Sequence, residues 1–119
     1  MSDPDLDGLP LLDGEIMLEL REVMEDEFAD LLQNFLDDLP LQFERLQRAA
    51  DQNDADQLYQ IGHKFKSSCG SLGALRLAEL VQRLEQAGRS RQMDAAGRWL
   101  AQARTVAAET LAAVRDQLI

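Results

Sequence analysis

Hydrophobic residues recur every three or four positions through most of the chain, and this period is typical of amphipathic α-helices. The longest stretch spans residues 25–50, and its apolar positions are Phe28, Leu31, Leu32, Phe35, Leu39, Phe43 and Leu46. A shorter stretch with Ile16, Leu20 and Val23 precedes it, and Asp13 before it has the side chain of a good N-cap. The pattern therefore predicts a short first helix followed by a long second one.

Three further helices are predicted after the polar turn at residues 51–54. The third ends in a glycine-containing turn at 70–73, the fourth is expected to stop at Gly88, and the last covers residues 91–118. Pro40 lies inside the second helix, and because proline has no N–H we expect it to kink or split that helix.

Short polar connections between long amphipathic helices favour antiparallel neighbours. We therefore predict an all-α fold, an up-and-down antiparallel four-helix bundle with a short additional N-terminal helix. Residues 1–12 contain two prolines and a glycine without a helical period, so they are predicted to be a flexible leader. Residues 13–119 would then form the bundle domain.

Composition supports this architecture. Leu and Ala supply 21 and 15 of the 119 residues, whereas Val and Ile together supply 7, and helices favour the first pair. The apolar content of 45% suffices for one core without a disulfide or metal, and the single cysteine is compatible with a reducing compartment. The sequence has neither a membrane-spanning apolar run nor a signal-like N-terminus, so a cytoplasmic location is predicted.

The net charge of −10 is distributed unevenly. Residues 1–54 carry 16 acidic and 3 basic side chains, while residues 55–119 carry 6 acidic and 9 basic ones. A chain this acidic repels phosphate polyanions, so we expect neither nucleic acid nor a membrane surface as a general partner.

Most motifs that indicate chemistry are missing from the sequence, including phosphate-binding loops, metal-spaced Cys/His sets and nucleophile triads. The single histidine, His63, remains. At about 100° per residue, His63 lies about 160° from Phe65 on the helical wheel, and Phe65 marks the apolar face. His63 is therefore predicted to point into solvent, with the small residues Ser67 and Gly70 near it and Lys64 and Lys66 on either side of Phe65.

A lone exposed histidine is usually an ordinary surface residue, yet its surroundings favour a function here. A neutral imidazole is a competent nucleophile near pH 7, since its reference pKa is about 6.5. A lysine nearby can neutralise a transferring phosphoryl group, and small neighbours leave room for another protein's active site. A nucleophilic imidazole, a nearby lysine and small neighbouring side chains together indicate a site that accepts a phosphoryl group from a partner protein.

The run from His63 to Ala74, followed by Leu77, Leu80, Leu84 and Glu85, resembles the histidine-containing phosphotransfer (HPt) domain. The resemblance implies a stand-alone phosphorelay module that accepts a phosphoryl group from a receiver-domain aspartate of a hybrid sensor kinase. The module would then pass it to the receiver aspartate of a response regulator. The family usually has glycine directly after its lysine, where this chain has Ser67, so partner selectivity could differ.

The resemblance also implies roles for individual residues. His63 would be the phosphoacceptor, Lys66 would stabilise the phosphoryl group, and Lys64 would be an electrostatic helper. Access and partner contact would involve four residues, and one of the last two would orient or border the histidine: Ser67, Gly70, Gln82 and Glu85.

By the same resemblance, the module would have no kinase activity and bind no metal itself, because Mg²⁺ belongs to the partner receiver. A closed bundle without a spare apolar face suggests a monomer. The alternative hypothesis is a non-catalytic helical interaction or regulatory protein in which His63 is incidental.

Overall fold

The computed structural model describes residues 4–119, and all regular structure in this range is helical. Six α-helices follow one another: α1 (Pro4–Asp7), α2 (Gly14–Met24), α3 (Phe28–Asp51), α4 (Ala55–Leu72), α5 (Leu75–Arg89) and α6 (Ala96–Gln117). Short 3₁₀ turns at Glu25–Glu27 and Met93–Ala95 lead into α3 and α6. The predicted all-α class is confirmed.

Helices α3 to α6 form the bundle, in which each helix packs against the next and α6 closes against α3. The core consists mainly of leucines from all four helices, and the most buried include Leu32, Leu46, Leu58, Leu77, Leu80, Leu84 and Leu100. Phe43 of α3 meets Phe65 of α4 edge to face, with ring centroids 5.8 Å apart.

The helix ends follow from local chemistry. The carboxylate of Asp13 accepts a hydrogen bond from the Ile16 N–H at 3.0 Å, so Asp13 is the N-cap of α2. Helix α4 extends through Leu72, and Gly73 ends it with a φ of 86°, a left-handed conformation that favours glycine. The reversal at Gly73 aligns α5 beside α4.

Glycines bring α4 and α5 unusually close together. A Cβ atom on Gly62 would lie 3.2 Å from the Glu85 Cα, and one on Gly88 would lie 2.6 Å from the Tyr59 backbone nitrogen. Since lower numbers on α4 face higher numbers on α5, the two helices are antiparallel. The prediction that Gly88 stops α5 is wrong, because the helix continues to Arg89 and Gly88 serves this close contact instead.

Two other expectations concern the first half of the chain. Of the two outcomes predicted for Pro40, a split does not occur, because α3 runs unbroken past this exposed residue, and a kink stays a prediction. On α2, the predicted Ile16 and Leu20 are partly buried, but the predicted Val23 is 79% exposed, and the fully buried residue of this helix is Met17. Apolar residues occupy two faces of α2, so the sequence period cannot decide which face packs.

Part of the predicted flexible leader lies on the bundle. Leu6 is buried, the Arg76 Nε donates a 2.8 Å hydrogen bond to the Leu9 carbonyl, and the Arg76 N–H donates to the Pro10 carbonyl. Residues 1–3 lie outside the described range. Within residues 4–119, no helix combines the length and apolarity that a membrane crossing requires.

Candidate functional site

His63 lies on the outward face of α4, midway along the helix. Its side chain is 58% exposed, which confirms the orientation that the helical wheel predicts. The ring of Tyr59, one turn earlier, is nearly parallel to the imidazole, with an angle of 24° and centroids 5.9 Å apart. This stacking limits how far the imidazole can rotate.

Glu85 of α5 connects the histidine to a lysine. Its Oε2 lies 2.9 Å from His63 Nδ1, and its Oε1 accepts a 2.9 Å hydrogen bond from Lys66 Nζ. The Glu85 side chain can reach both groups because Gly62 lets the α5 backbone approach α4. One carboxylate thus fixes an imidazole and an ammonium group side by side.

The charge of Glu85 is maintained although the residue is only 3% exposed. Burial by itself raises the pKa of a carboxyl group, but here the hydrogen bonds and charges of Lys66 and His63 outweigh it and lower the pKa of Glu85 below its ordinary value. Glu85 is therefore an ionised carboxylate at neutral pH.

An ionised carboxylate can only accept hydrogen bonds, so His63 must donate through Nδ1. In a neutral imidazole that carries its proton on Nδ1, the lone pair available for attack is on Nε2. The geometry therefore leaves Nε2 as the nucleophilic nitrogen.

The surface around His63 is open on the side of the following turns. Ser67 is exposed, and its hydroxyl donates to the His63 carbonyl at 3.3 Å. A Cβ on Gly70 would meet no atom within 4 Å, so the surface there is unobstructed. Lys64 is also exposed, but it lies on the side of α4 that faces α3.

The two α5 residues that were predicted to orient or border His63 have different surroundings in the structure. Glu85 contacts His63, whereas Gln82 is exposed and lines a groove with Trp99 between α5 and α6. Of the two candidates, Glu85 is the one that the structure shows hydrogen-bonded to His63, and a role for Gln82 stays a prediction. The stacking of Tyr59 was not predicted, although a spacing of four residues on one helix is the signal that could have indicated it.

Other potentially reactive groups lie apart from this site. Cys69 is buried, and burial raises the pKa of its thiol, so it is unreactive as a thiolate. Among the described residues, no cluster of three or more His, Cys, Asp or Glu side chains is arranged to hold a metal ion.

Comparisons with known proteins agree with this geometry. In solved structures, the chain is similar to histidine-containing phosphotransfer protein B (HptB) from Pseudomonas aeruginosa PAO1, at 29% identity and a TM-score of 0.89. The similarity covers 92% of this chain and 95% of that chain. A comparison with curated proteins found no match. A sequence model of the Hpt domain matches residues 30–117, most of the chain, and the protein therefore belongs to the Hpt domain family.

Proposed function

We propose that this protein is a phosphorelay intermediate that carries a phosphoryl group on Nε2 of His63. Family membership and the likeness to HptB support histidine phosphotransfer. The observation that carries the proposal for this chain is the hydrogen bond from the Nδ1 of His63 to the buried Glu85 carboxylate, which leaves Nε2 without a hydrogen bond on an exposed side chain.

In the accepting step, the Nε2 lone pair forms a bond to the phosphorus of a receiver's aspartyl phosphate. The bond between phosphorus and the aspartyl oxygen breaks, and the aspartate leaves as a carboxylate. The ring keeps its Nδ1 proton, so the product is a phosphoimidazolium whose positive charge is paired with Glu85. Transfer to a second receiver reverses these bond changes, with the new aspartate as nucleophile.

Lys66 supplies the cation of the site. Its ammonium group is held by Glu85 in the structure, on the same carboxylate as the imidazole. When a phosphoryl group occupies Nε2, Lys66 can exchange one carboxylate contact for a phosphoryl oxygen and neutralise charge that develops there. Lys64 has no such anchor and adds only to the local positive potential.

The proposed donor is the receiver domain of a hybrid sensor kinase, and the proposed acceptor is the receiver of a response regulator, both in the cytoplasm. Each receiver would bring its own Mg²⁺. The open surface at Ser67 and Gly70 leaves room for a receiver to approach the ring. The phosphorylated form would be transient and the protein monomeric.

Label transfer tests the proposal. Receivers of the source organism, phosphorylated with ³²P and supplied with Mg²⁺, are mixed with the protein, and label on the protein is followed over time. We expect an acid-labile, alkali-stable phosphoramidate that is missing in His63→Gln. Failure to label the wild-type protein with any receiver of a broad panel would contradict the proposal and favour an incidental histidine.

A matched pair of lysine variants tests the proposed charge stabilisation. We expect Lys66→Ala to slow label transfer by about tenfold or more, because it removes the phosphoryl-facing cation. Lys64→Ala removes the same charge two residues away and should have a smaller effect. Circular dichroism should show a folded bundle for both. Equal rates for the two variants would contradict the assigned role of Lys66.

A further inference from the structure

A second surface feature lies between α3 and α4, on a different side of α4 from His63. It is an open groove with a volume of about 550 Å³. Three cationic side chains line it, namely Arg45 and Arg48 from α3 and Lys64 from α4, and no acidic side chain does. The groove is a positive site on a protein of net charge −10.

These three cations are unpaired. Within residues 4–119, none of their side chains makes a hydrogen bond, an ion pair or a ring contact, and only their backbone atoms are hydrogen-bonded. Several other cations of the chain are engaged: Lys66 with Glu85, Arg91 with Asp56, and Arg104 with Gln47 and the Phe43 ring. Acidic residues are abundant on α3 itself, yet they leave the groove-lining cations without a partner.

The other groups in the groove indicate the kind of anion that it fits. Ile61 is half-buried in it and offers apolar surface, and the exposed Gln57 and Gln60 can both donate and accept hydrogen bonds. A peptide backbone carries both N–H donors and C=O acceptors, so it can bond with both groups of these side chains. Phe65 is buried, so no aromatic ring of the groove is exposed for stacking on a nucleic-acid base.

The length of the groove suits a short segment. Its α3 wall runs from Gln42 to Gln52, which spans about 15 Å at the helical rise. An extended peptide covers that distance with about five residues. Beyond about 8 Å at physiological salt, the acidic remainder of the protein is screened and does not prevent a short anion from approaching.

We propose that the α3–α4 groove binds an acidic peptide segment of a partner protein, with carboxylates on Arg45, Arg48 and Lys64 and an apolar side chain on Ile61. The groove is a binding site additional to the phosphoryl site and does not need His63. Lys64 follows His63 directly in the chain, so a segment bound here would hold its parent protein beside the phosphoryl site.

A peptide titration tests this site directly. The probe is the fluorescein-labelled peptide EELEE, with QQLQQ as a neutral counterpart, at physiological salt of about 0.15 M with the full chain. Binding is followed by fluorescence anisotropy, and the contact surface is mapped by ¹H–¹⁵N NMR. We expect EELEE alone to bind and to shift amide signals at Arg45, Ala49, Lys64 and Ser68. The His63→Gln variant should bind equally well, which separates this test from phosphotransfer.

The chain offers a matched control. Arg45→Gln/Arg48→Gln removes two groove arginines, whereas Arg89→Gln/Arg115→Gln removes two exposed arginines that are also unpaired among the described residues but lie on α5 and α6. We expect the first pair to weaken EELEE binding by about fivefold or more and the second to change it much less.

Three outcomes would overturn the proposal. One is no detectable EELEE binding at physiological salt, and another is an equal loss in both double variants, which would indicate attraction by overall charge. The third is tighter binding of a labelled oligothymidylate of similar charge than of EELEE, which would assign the groove to a phosphate backbone.

Discussion

Glu85 is one of only two buried polar side chains among the described residues, together with Thr110. Burial of a carboxylate is unfavourable unless charged or hydrogen-bonding partners compensate. Both carboxylate oxygens of Glu85 are engaged, one by His63 and one by Lys66. Glu85 therefore acts as a positioning residue, which fixes the tautomer of the imidazole and holds the lysine one turn away.

Replacement of Glu85 should separate its hydrogen bond to the imidazole, which fixes the tautomer, from its negative charge. In Glu85→Ala the ring loses its acceptor at Nδ1, so we expect transfer to His63 to slow by about tenfold or more and the two tautomers to mix. In Glu85→Gln the amide oxygen can still accept from Nδ1, so much of the tautomer preference should return. ¹⁵N NMR of the imidazole reports the tautomer, and label transfer reports the rate.

Glu85→Gln also yields a pH signature. Because the pKa of Glu85 is lowered in the folded protein, its charge contributes stability that is complete above the ordinary carboxyl pKa of about 4.3. Urea unfolding should show an advantage of the wild type over Glu85→Gln of about 1–2 kcal/mol at neutral pH. This stability advantage of the wild type should disappear as the pH falls from the ordinary carboxyl pKa through the lowered pKa that Glu85 has in the folded protein. A pH-independent difference would contradict a charged Glu85.

At Gly70, the absence of a side chain leaves space near His63 but lowers the stability of the helix relative to alanine. A Cβ there meets no atom within 4 Å, and the same holds for Gly97 on α6. Both Gly70→Ala and Gly97→Ala should stabilise the isolated protein, by about 0.4–1 kcal/mol, since alanine favours the helix. Only substitution at Gly70 should slow transfer from a receiver, and Gly70→Gln should slow it further. Equal transfer rates in both variants would mean that no partner approaches over Gly70.

At the scale of elements, the contact between α4 and α5 determines the geometry of the site. His63 and Lys66 belong to α4 and Glu85 to α5, so their distances depend on how closely these two helices approach. Gly62 and Gly88 permit that approach at two levels along the helices.

The two glycines should respond differently to alanine. The added Cβ in Gly88→Ala would lie 2.6 Å from Tyr59 backbone, and backbone cannot move aside easily, so we expect a loss of about 2–3 kcal/mol in urea unfolding. Gly62→Ala creates milder contacts, at 3.2–3.3 Å, with Glu85 itself. It should reduce stability less but displace the carboxylate from His63 and slow transfer. A larger stability loss at Gly62 than at Gly88 would contradict this order.

At the scale of the whole molecule, residues 6–10 are packed onto the bundle. Leu6 is buried, and Arg76 binds the carbonyls of Leu9 and Pro10. Deletion of residues 1–12 should therefore lower the free energy of unfolding by about 1.5–3 kcal/mol, the value of one buried leucine side chain. Arg76→Gln should give a smaller loss and faster amide exchange at Leu9. Unchanged stability after the deletion would support a free leader.

The fold class and the exposure of His63 could be predicted from the sequence because both depend on local periodicity. Leucines at helical spacing define the core face of each helix, and the position of His63 opposite Phe65 follows from the helical repeat alone. The lysine spacing and the small residues of the site are likewise properties of one helix. On α2 periodicity was right for Ile16 and Leu20 but wrong for Val23, because apolar residues lie on two faces of this helix and Met17 is the one that is buried.

Only the tertiary structure decided which residue supports the histidine. Gln82 and Glu85 are about 60° apart on α5, and the sequence contains nothing that favours one over the other. The choice depends on the rotation and register of α5 against α4, which the close contacts at Gly62 and Gly88 establish. The unpaired cations of the α3–α4 groove are also a tertiary property, because pairing depends on distances between helices that a helical period does not specify.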